Sequence, residues 1–252
     1  MKVRELYAFL NEKIPPSLSC EWDNDGLMCC PDADAEVCNV LIALDITDRV
    51  IDLAVTGGYD VIVAHHPLIF SPLKAVEPSD HIARRVIRLI RAGITAMSFH
   101  TRLDTVEGGV NDTLARALGL CDVQPFGDGC GRIGRLPDAM SAADFATLVK
   151  KATGADQVQV SDSGHPVLRV AVLGGSGSSD VADAADAGAD TYLSGELKHN
   201  VLTDAPECGI NLVAAGHFHT EDLVCKTLCK WISDAFPSLQ VDVTVSNTVQ
   251  IF

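Results

Sequence analysis

The chain alternates short apolar runs, typical of buried strands, with segments whose apolar positions recur at the spacing of an amphipathic helix. Apolar runs of this kind lie at 40–44, 61–64, 94–99, 167–173 and 210–214. A segment with helical periodicity follows each of them. This alternation predicts βαβ units, in which helices cover the faces of a mainly parallel sheet. We therefore expect an α/β fold.

The segment at 121–137 breaks this alternation, because it contains four glycines and two cysteines but no long periodic run. We interpret it as the connection between two halves of the chain. Each half contains strands that end in polar side chains, with a helix after each strand. We predict an N-terminal α/β lobe at 1–122 and a related C-terminal α/β lobe at 123–252, with mainly parallel mixed sheets that face a central cleft.

The composition is that of a globular protein with a substantial core, since hydrophobic residues make up 47% and charged residues 21% of the 252 residues. Acidic residues number 34 against 19 basic ones, and the formal net charge is −15. Such a surface repels polyanions, so we expect neither nucleic acid nor an anionic membrane among the partners. We interpret the arginines at helical spacing as a solvated helix face, with contact to an anionic ligand as the alternative. They are Arg84, Arg85, Arg88 and Arg91.

Two features bear on the compartment in which the chain works. The first residues lack the apolar core of a signal peptide, and no apolar run approaches the roughly 20 residues that span a bilayer. The nine cysteines are irregularly spaced and form no Cys-x-x-Cys pair. We interpret them as thiols buried in a reducing compartment, and we expect a cytoplasmic protein with no membrane partner.

Two adjacent histidines, His65 and His66, stand where the apolar run at 61–64 ends, and Pro67 follows them. Ligands of open α/β sheets bind in the crevice at the carboxyl ends of the strands. Because successive side chains of a strand point to opposite faces, both imidazoles reach one site only if the chain turns there. Pro67 favours that turn. The doublet predicts a metal site with one histidine for each of two ions, and two satisfied polar residues at a strand end are the alternative.

Further histidines and carboxylates follow two other predicted strands. His100 and Asp104 come after the run at 94–99, and Asp104 is a candidate to bridge two metal ions. His217 and Glu221 come after the run at 210–214, and they share one helix face if a helix has begun by His217. If the helix begins later, Glu221 supplies only a favourable charge in its first turn.

Three weaker candidates lie near the same predicted strand ends. The loop Gly174–Ser179 lies between a strand and a helix, where its amides either cradle a phosphate or form a tight turn. Asp45 ends the run at 40–44 and is either a carboxylate at the rim of the site or a helix-start residue. His219 is expected at the entrance of the site. No Gly-x-Ser-x-Gly elbow is present, so nucleophilic catalysis is less well supported than metal chemistry.

Six blocks of sequence also carry a resemblance to a known family. They are Trp22-Asp23-Asn24-x-Gly26-Leu27, His65-His66-Pro67-Leu68-Ile69-Phe70, His100-Thr101-x-Leu103-Asp104, Gly108-Gly109-Val110-Asn111-Asp112, Ser194-Gly195-Glu196-Leu197-Lys198 and Gly216-His217-x-x-x-Glu221. Together and in this order they resemble the NIF-three-like family, whose members are often labelled GTP cyclohydrolase 1 type 2 homologues. The chain departs from the family pattern at Arg102, Glu196 and Asn200, which we expect at the rim of the site.

The resemblance implies a two-lobed fold with a dinuclear metal centre, and assembly into a toroidal homohexamer built from dimers. It also implies a set of metal ligands, with His100 close by. The ligands are His65, His66, Asp104, His217 and Glu221. The cofactors would be two divalent ions per chain, and Zn, Fe or Mn suits these nitrogen and oxygen donors. The segment at 119–141 is too short to hold the extra domain that some longer members insert.

A dinuclear site of this kind predicts a metal-dependent hydrolase acting on a small molecule, with Glu221 or His100 as the proton relay. The family label points to ring opening of GTP, although an aromatic content of 5% gives no sign of a guanine pocket. The alternative is a non-catalytic metal-binding protein that acts as a metal carrier, in cofactor assembly or as a regulatory scaffold. An open coordination position facing a cavity would distinguish the enzyme from the carrier.

Overall fold

A computed structural model describes residues 1–250 of the chain, which contain ten α-helices and eleven β-strands. The helices are α1 (Val3–Lys13), α2 (Asp48–Gly57), α3 (His81–Ala92), α4 (Thr101–Thr105), α5 (Val110–Ala117), α6 (Ala142–Thr153), α7 (Val181–Asp186), α8 (His199–Asp204), α9 (His217–Glu221) and α10 (Leu223–Ala235). The strands are β1 (Gly26–Cys29), β2 (Asn39–Ala43), β3 (Val61–Ala64), β4 (Thr95–Ser98), β5 (Cys121–Phe126), β6 (Gly131–Met140), β7 (Gln159–Ser161), β8 (Val167–Ser176), β9 (Thr191–Glu196), β10 (Asn211–Ala214) and β11 (Gln240–Val243). The α/β class predicted from the alternating pattern is confirmed.

The described chain divides into two compact units. Unit 1 contains Met1–Val106 and Cys225–Gln250, and unit 2 contains Glu107–Val224. The sequence prediction instead placed a boundary at residue 122 and kept all later residues in the second lobe. In the structure the end of the chain belongs to unit 1, because β11 pairs in parallel with β2, with Gln240 opposite Asn39.

The sheet of unit 1 has the strand order β1-β4-β3-β2-β11. Three of its four ladders are parallel, and only β1 runs antiparallel to its neighbour, β4. Every residue of the interior strands β3 and β4 is buried, as is typical of strands covered on both faces. Because β3 and β4 are parallel, their carboxyl ends lie at one edge of the sheet, where His65 and His100 follow them.

The sheet of unit 2 has the order β5-β6-β8-β9-β10-β7. Two of its ladders, β8–β9 and β9–β10, are parallel, and the other three are antiparallel. The prediction of a mainly parallel sheet is therefore wrong for this unit. The reason lies in the segment at 121–137, which was predicted as a connection. It forms the antiparallel strands β5 and β6 around a turn in which Gly127 and Gly129 adopt positive φ.

Three helices begin at residues whose side chains cap the first turn. The side chains of Thr47, Asp80 and Ser141 each accept a hydrogen bond from the backbone N–H three residues later. These bonds satisfy donors that would otherwise be unpaired at the first turn. Within residues 1–250, no helix combines the length and the apolar character needed to cross a membrane.

The arginines of α3 form ion pairs with α2 of the same unit. Arg84, Arg85 and Arg88 all lie within ion-pair distance of Asp48, and Arg88 also pairs with Asp52. Although burial opposes the shift, Arg88 and its neighbours hold the pKa of Asp48 below its ordinary value of 3.8. The arginine face is therefore largely an interhelical ion-pair network, which is neither of the two roles considered from the sequence.

The nine cysteines are all free thiols. Cys29 and Cys225 are buried as the sequence analysis expected, and burial raises the pKa of the Cys29 thiol. Cys38, Cys121 and Cys208 are exposed, so the prediction of buried thiols holds for only part of the set.

Candidate metal-binding sites

His65 and His66 lie directly after β3, at a bend in the chain. The centroids of their rings are 4.9 Å apart, with the ring planes inclined at 41°. Because β3 ends at Ala64, the alternation of side chains along a strand no longer applies to this pair. The turn favoured by Pro67 is present, and the two adjacent imidazoles lie next to each other.

A third histidine, His100, lies against this pair. It follows β4, and its ring centroid is 5.3 Å from that of His65 and 5.8 Å from that of His66. One ring nitrogen from each of the three residues lies within 4.8 Å of the others. His65, His66 and His100 therefore form one cluster inside unit 1, which we call the three-histidine group.

Each member of the three-histidine group holds its Nδ1 beside an oxygen acceptor. The pairs are His65 with the carbonyl oxygen of Phe99 at 2.9 Å, His66 with Oδ1 of Asp45 at 2.7 Å, and His100 with Oδ1 of Asp23 at 2.9 Å. An Nδ1–H that donates to such an oxygen leaves the lone pair of the imidazole on Nε2. Metal-ligating histidines characteristically have this arrangement, with the second nitrogen donating to a carbonyl or carboxylate oxygen.

Asp23 orients His100 from a buried position, since its side chain has 0% exposure. It also accepts hydrogen bonds from the backbone N–H of Thr101 at 3.0 Å and from the Thr101 hydroxyl at 2.6 Å. Burial alone would raise the pKa of Asp23, but the hydrogen bonds from His100 and Thr101 hold it well below its usual range. The carboxylate is therefore ionised at neutral pH. The sequence reasoning assigned no role to Asp23 beyond its place in a family block.

Asp45 acts on His66 rather than on a helix terminus. Its Oδ2 accepts a hydrogen bond from the hydroxyl of Ser246 at 3.0 Å, while its Oδ1 lies beside the imidazole. The neighbouring helix α2 is capped by Thr47 instead. Of the two roles considered for Asp45, the carboxylate beside the candidate site is the one the structure shows.

Asp104 lies on α4 beside the three-histidine group. Its Oδ1 is 3.6 Å from Nε2 of His65, which is too long for a hydrogen bond. Two donor atoms that are each about 2.1 Å from one tetrahedral ion lie about 3.4 Å apart. The spacing and the mixture of imidazole nitrogen and carboxylate oxygen therefore fit a divalent transition metal.

A second candidate pair, His217 and Glu221, lies in unit 2. Helix α9 begins at His217, so the two residues share one face of the same helix turn, and the alternative of a later helix start is wrong. Nε2 of His217 is 3.1 Å from Oε2 of Glu221, and the glutamate is buried. An imidazole and a carboxylate at this spacing can bind the same cation.

Glu196, at the end of β9, lies on the other side of His217. Its Oε2 is 3.4 Å from Nδ1 of His217 and accepts a hydrogen bond from the Ser176 hydroxyl at 2.7 Å. The Ser176 hydrogen bond, together with His217, holds the pKa of Glu196 below its usual range against the effect of burial. Glu196, expected only at the rim, thus contacts a predicted ligand. His219, expected at the entrance, is half-buried and lines a cavity of about 430 Å³ beside Glu196.

The glycines of the loop at 174–179 allow the backbone to approach buried side chains. A Cβ atom on Gly175 would overlap Oε1 of Glu221 and lie 3.2 Å from Nε2 of His217. A Cβ atom on Gly177 would overlap the hydroxyl of Tyr192, which donates to the Gly177 carbonyl oxygen at 3.0 Å. Close packing against Glu221 and Tyr192 is thus a role that neither sequence interpretation of this loop included.

Arg102 and Asp112 have structural roles. Arg102, expected at the rim, is only 1% exposed, and its guanidinium pairs with Asp25 at 3.1 Å and lies 4.5 Å from the centre of the Phe99 ring. Asp112 lies in the first turn of α5 and pairs with Arg132 at 2.9 Å. The expectation for Arg102 is wrong because Asp25 supplies a buried partner for its charge.

Comparison with known proteins gives consistent matches over the whole chain. The family described as Duf34/NIF3 (NGG1p interacting factor 3) matches residues 1–250. A Clostridium perfringens protein named GTP cyclohydrolase 1 type 2 homolog is 31% identical over 229 residues, covering 88% of this chain and 87% of the relative. Reduced HcgD from Methanocaldococcus jannaschii is a solved structure with 32% identity and a TM-score of 0.85, covering 96% of this chain and 97% of that one. A Bacillus cereus protein related to NIF3 has a TM-score of 0.91 at 23% identity, covers 100% and 99%, and shares the fold.

Proposed function

We propose that this chain, which belongs to the Duf34/NIF3 family, binds two divalent metal ions and uses them to hydrolyse a small-molecule substrate. The observation that carries the proposal is the orientation of the three-histidine group. All three Nδ1 atoms lie beside oxygen acceptors, and one nitrogen from each ring lies within 4.8 Å of the others. This orientation suits His65 and His66 to coordinate a cation through Nε2, with His100 beside them to exchange a proton.

The proposed ligands are His65, His66, Asp104, His217 and Glu221, with Zn, Fe or Mn as the ions. Their assignment to one dinuclear centre rests on the resemblance in sequence to the family. Divalent ions supply Lewis acidity and a source of hydroxide at neutral pH.

Two residues are proposed to move protons during the reaction. The Nδ1 of His100 is held by Asp23, so the proton that His100 exchanges is carried at Nε2. Glu221 is buried, with its carboxylate 3.1 Å from Nε2 of His217, and can accept or release a proton at an oxygen. Relatives from several organisms are named GTP cyclohydrolase 1 type 2 homolog, so hydrolytic ring opening of GTP is the first reaction to test.

The first test measures metal content. Purified protein is reloaded separately with Zn, Fe and Mn, and elemental analysis is expected to find two ions per chain. Replacing His65 and His217 together by Ala should abolish loading while the circular dichroism spectrum stays unchanged, because both residues lie beyond the ends of strands. Fewer than one ion per chain after reloading, or full loading of the double variant, would overturn the proposed metal centre.

The second test measures turnover by the loaded protein. Nucleotides including GTP, phosphoesters and cyclic amides are screened, with Glu221→Gln as the inactive variant. Glu107→Gln, a change of the same chemistry at an exposed position of unit 2, is the matched control and should retain full activity. Two bound ions with no turnover of any class would refute hydrolysis and support the alternative role of a metal carrier or scaffold.

A further inference from the structure

Two large aromatic side chains are exposed beside the three-histidine group. Trp22 is 62% exposed and Phe70 is 53% exposed, whereas every other Phe, Tyr and Trp within residues 1–250 is buried or half-buried. Both belong to unit 1, as do the three histidines. Trp22 and Phe70 are far apart in sequence, but both rings lie near His100. Exposed aromatic rings of this size are more typical of a binding surface than of a solvated loop.

The rings of Trp22, Phe70 and His100 are in pairwise contact, and we call this group the aromatic corner. The centroid of Trp22 lies 6.2 Å from Phe70 and 6.1 Å from His100, and Phe70 lies 6.2 Å from His100. The three ring planes are inclined to each other by 62°, 77° and 84°. Because these rings contact one another edge to face, their flat faces are not stacked against each other. A planar ligand can therefore lie flat on one ring and present its edge to another, as aromatic pairs prefer.

Hydrogen bonds within the chain hold in place the two loops that carry Trp22 and Phe70. Trp22 precedes Asp23, whose buried carboxylate is bound to His100 and Thr101. Asn24 donates through Nδ2 to the carbonyl oxygen of Ile69, the residue before Phe70. The loops that carry the two aromatic side chains are thus tied to each other and to a member of the three-histidine group. Pre-organised rings lose little conformational entropy when a ligand binds.

We propose that Trp22 and Phe70 bind a planar aromatic ring of the ligand whose donor atom reaches the metal beside His100. The inference rests on the proposed function, because it places the ring next to the proposed metal site. The ligand class is an aromatic heterocycle with a metal-coordinating nitrogen or oxygen. The 5% aromatic content had argued against a ring-binding pocket, but two of these few residues lie where such a ring would bind.

The test compares three probes that share one donor and differ in the ring attached to it. Imidazole carries the donor alone, benzimidazole adds a planar aromatic ring, and 4,5,6,7-tetrahydrobenzimidazole adds a saturated ring of similar size. Binding to the Zn-loaded full chain is measured by calorimetry. It is also measured by Trp22 fluorescence in a Trp231→Phe background, in which Trp22 is the only tryptophan. We expect benzimidazole to bind at least tenfold more tightly than either other probe and to quench Trp22.

Substitutions at Trp22 and Phe70 then test whether these two rings cause the preference for benzimidazole. Trp22→Ala and Phe70→Ala should each remove most of the preference for benzimidazole while imidazole binding stays unchanged. Trp22→Phe, which keeps an aromatic ring, should retain much of it, and Phe70→Leu, which keeps only apolar volume, should not. Equal binding of the aromatic and saturated probes would overturn the inference, as would an unchanged preference in Trp22→Ala.

Two further outcomes separate this inference from others. Metal content is measured before any probe is added, so failure to load Zn, Fe and Mn alike would overturn the proposed function and is distinct from metal loading without ring preference. The native mass of Trp22→Ala is compared with that of the parent chain. A lower mass would show that the aromatic corner is a contact between copies of the chain and would refute ring binding.

Discussion

Alanine at Gly175 should weaken metal binding through its effect on Glu221, and the chain offers a matched control at Gly154. Both glycines have left-handed backbones, with φ of +67° and +72°, so alanine at either position costs about 1–2 kcal/mol of folding free energy. An added Cβ at Gly154 meets nothing within 4 Å. At Gly175 it overlaps Oε1 of Glu221 and lies 3.2 Å from the Glu221 Cδ. The two variants share the backbone strain and differ in the contacts of the new methyl group, which overlaps the Glu221 carboxylate and lies 3.2 Å from Nε2 of His217.

The size of the effect follows from the geometry at Glu221. Its carboxylate must move by about 1 Å to restore ordinary van der Waals contact with the new methyl group. Distances in a metal site hold to within about 0.2 Å, so a carboxylate displaced by this much no longer acts as a ligand. We expect the metal dissociation constant of Gly175→Ala to rise on the order of 100-fold, which corresponds to about 3 kcal/mol. Gly154→Ala should bind metal as the parent chain does.

Competition with a chromophoric chelator measures these dissociation constants, and urea unfolding of the metal-free proteins measures the strain. A double-variant cycle identifies the mechanism, because Glu221→Ala removes the atom with which the new methyl group collides. In that background, Gly175→Ala should cause no further loss of metal affinity. The reasoning is refuted if Gly175→Ala binds metal as tightly as Gly154→Ala, or if its effect persists in the absence of the Glu221 carboxylate.

Three further outcomes are expected. Asp23→Asn should lower turnover of the metal-loaded protein by about 10–100-fold, because the proposed proton relay His100 loses its anionic acceptor, whereas Asp34→Asn at an exposed site should have no effect. The depressed pKa of Asp48 means that its pairing with Arg88 stabilises the fold above pH 3.8 and that this stabilisation is lost as the pH falls below that value. Asp48→Asn should therefore flatten the acid limb of the urea midpoint plotted against pH, and an unchanged limb would count against the ion pairs. Native mass spectrometry should find a hexamer with six times the chain mass of 26.7 kDa, and a monomer would contradict the ring.

Those parts of the fold that depend on residues close together in sequence could be predicted from the sequence. The caps at Thr47, Asp80 and Ser141 were predictable because a capping side chain acts within one helical turn. The position of His65 was predictable because a buried apolar run ends directly before it and Pro67 follows. In each case the residues that determine the structure lie within a few positions of each other in sequence.

Long-range pairing explains most of what sequence reasoning missed. β11 joins the sheet of unit 1 by pairing with β2, and nothing near Gln240 in sequence indicates a partner at Asn39. Arg102 is buried because Asp25 lies against it, although the two residues are far apart along the chain. Likewise, the acceptor of the His65 Nδ1 is the backbone carbonyl of Phe99, and any residue at that position would offer the same oxygen.

The charges around the three-histidine group explain why it suits a divalent ion. The hydrogen bonds of the three Nδ1 atoms to Phe99, Asp45 and Asp23 orient the rings, and an Nδ1–H that donates in this way leaves the lone pair on Nε2. Neutral imidazole nitrogens are ligands that divalent transition metals accept readily. The carboxylates of Asp23 and Asp45, each beside an Nδ1, match the two positive charges of such an ion. The same two carboxylates thus orient His100 and His66 and favour a divalent charge at the group.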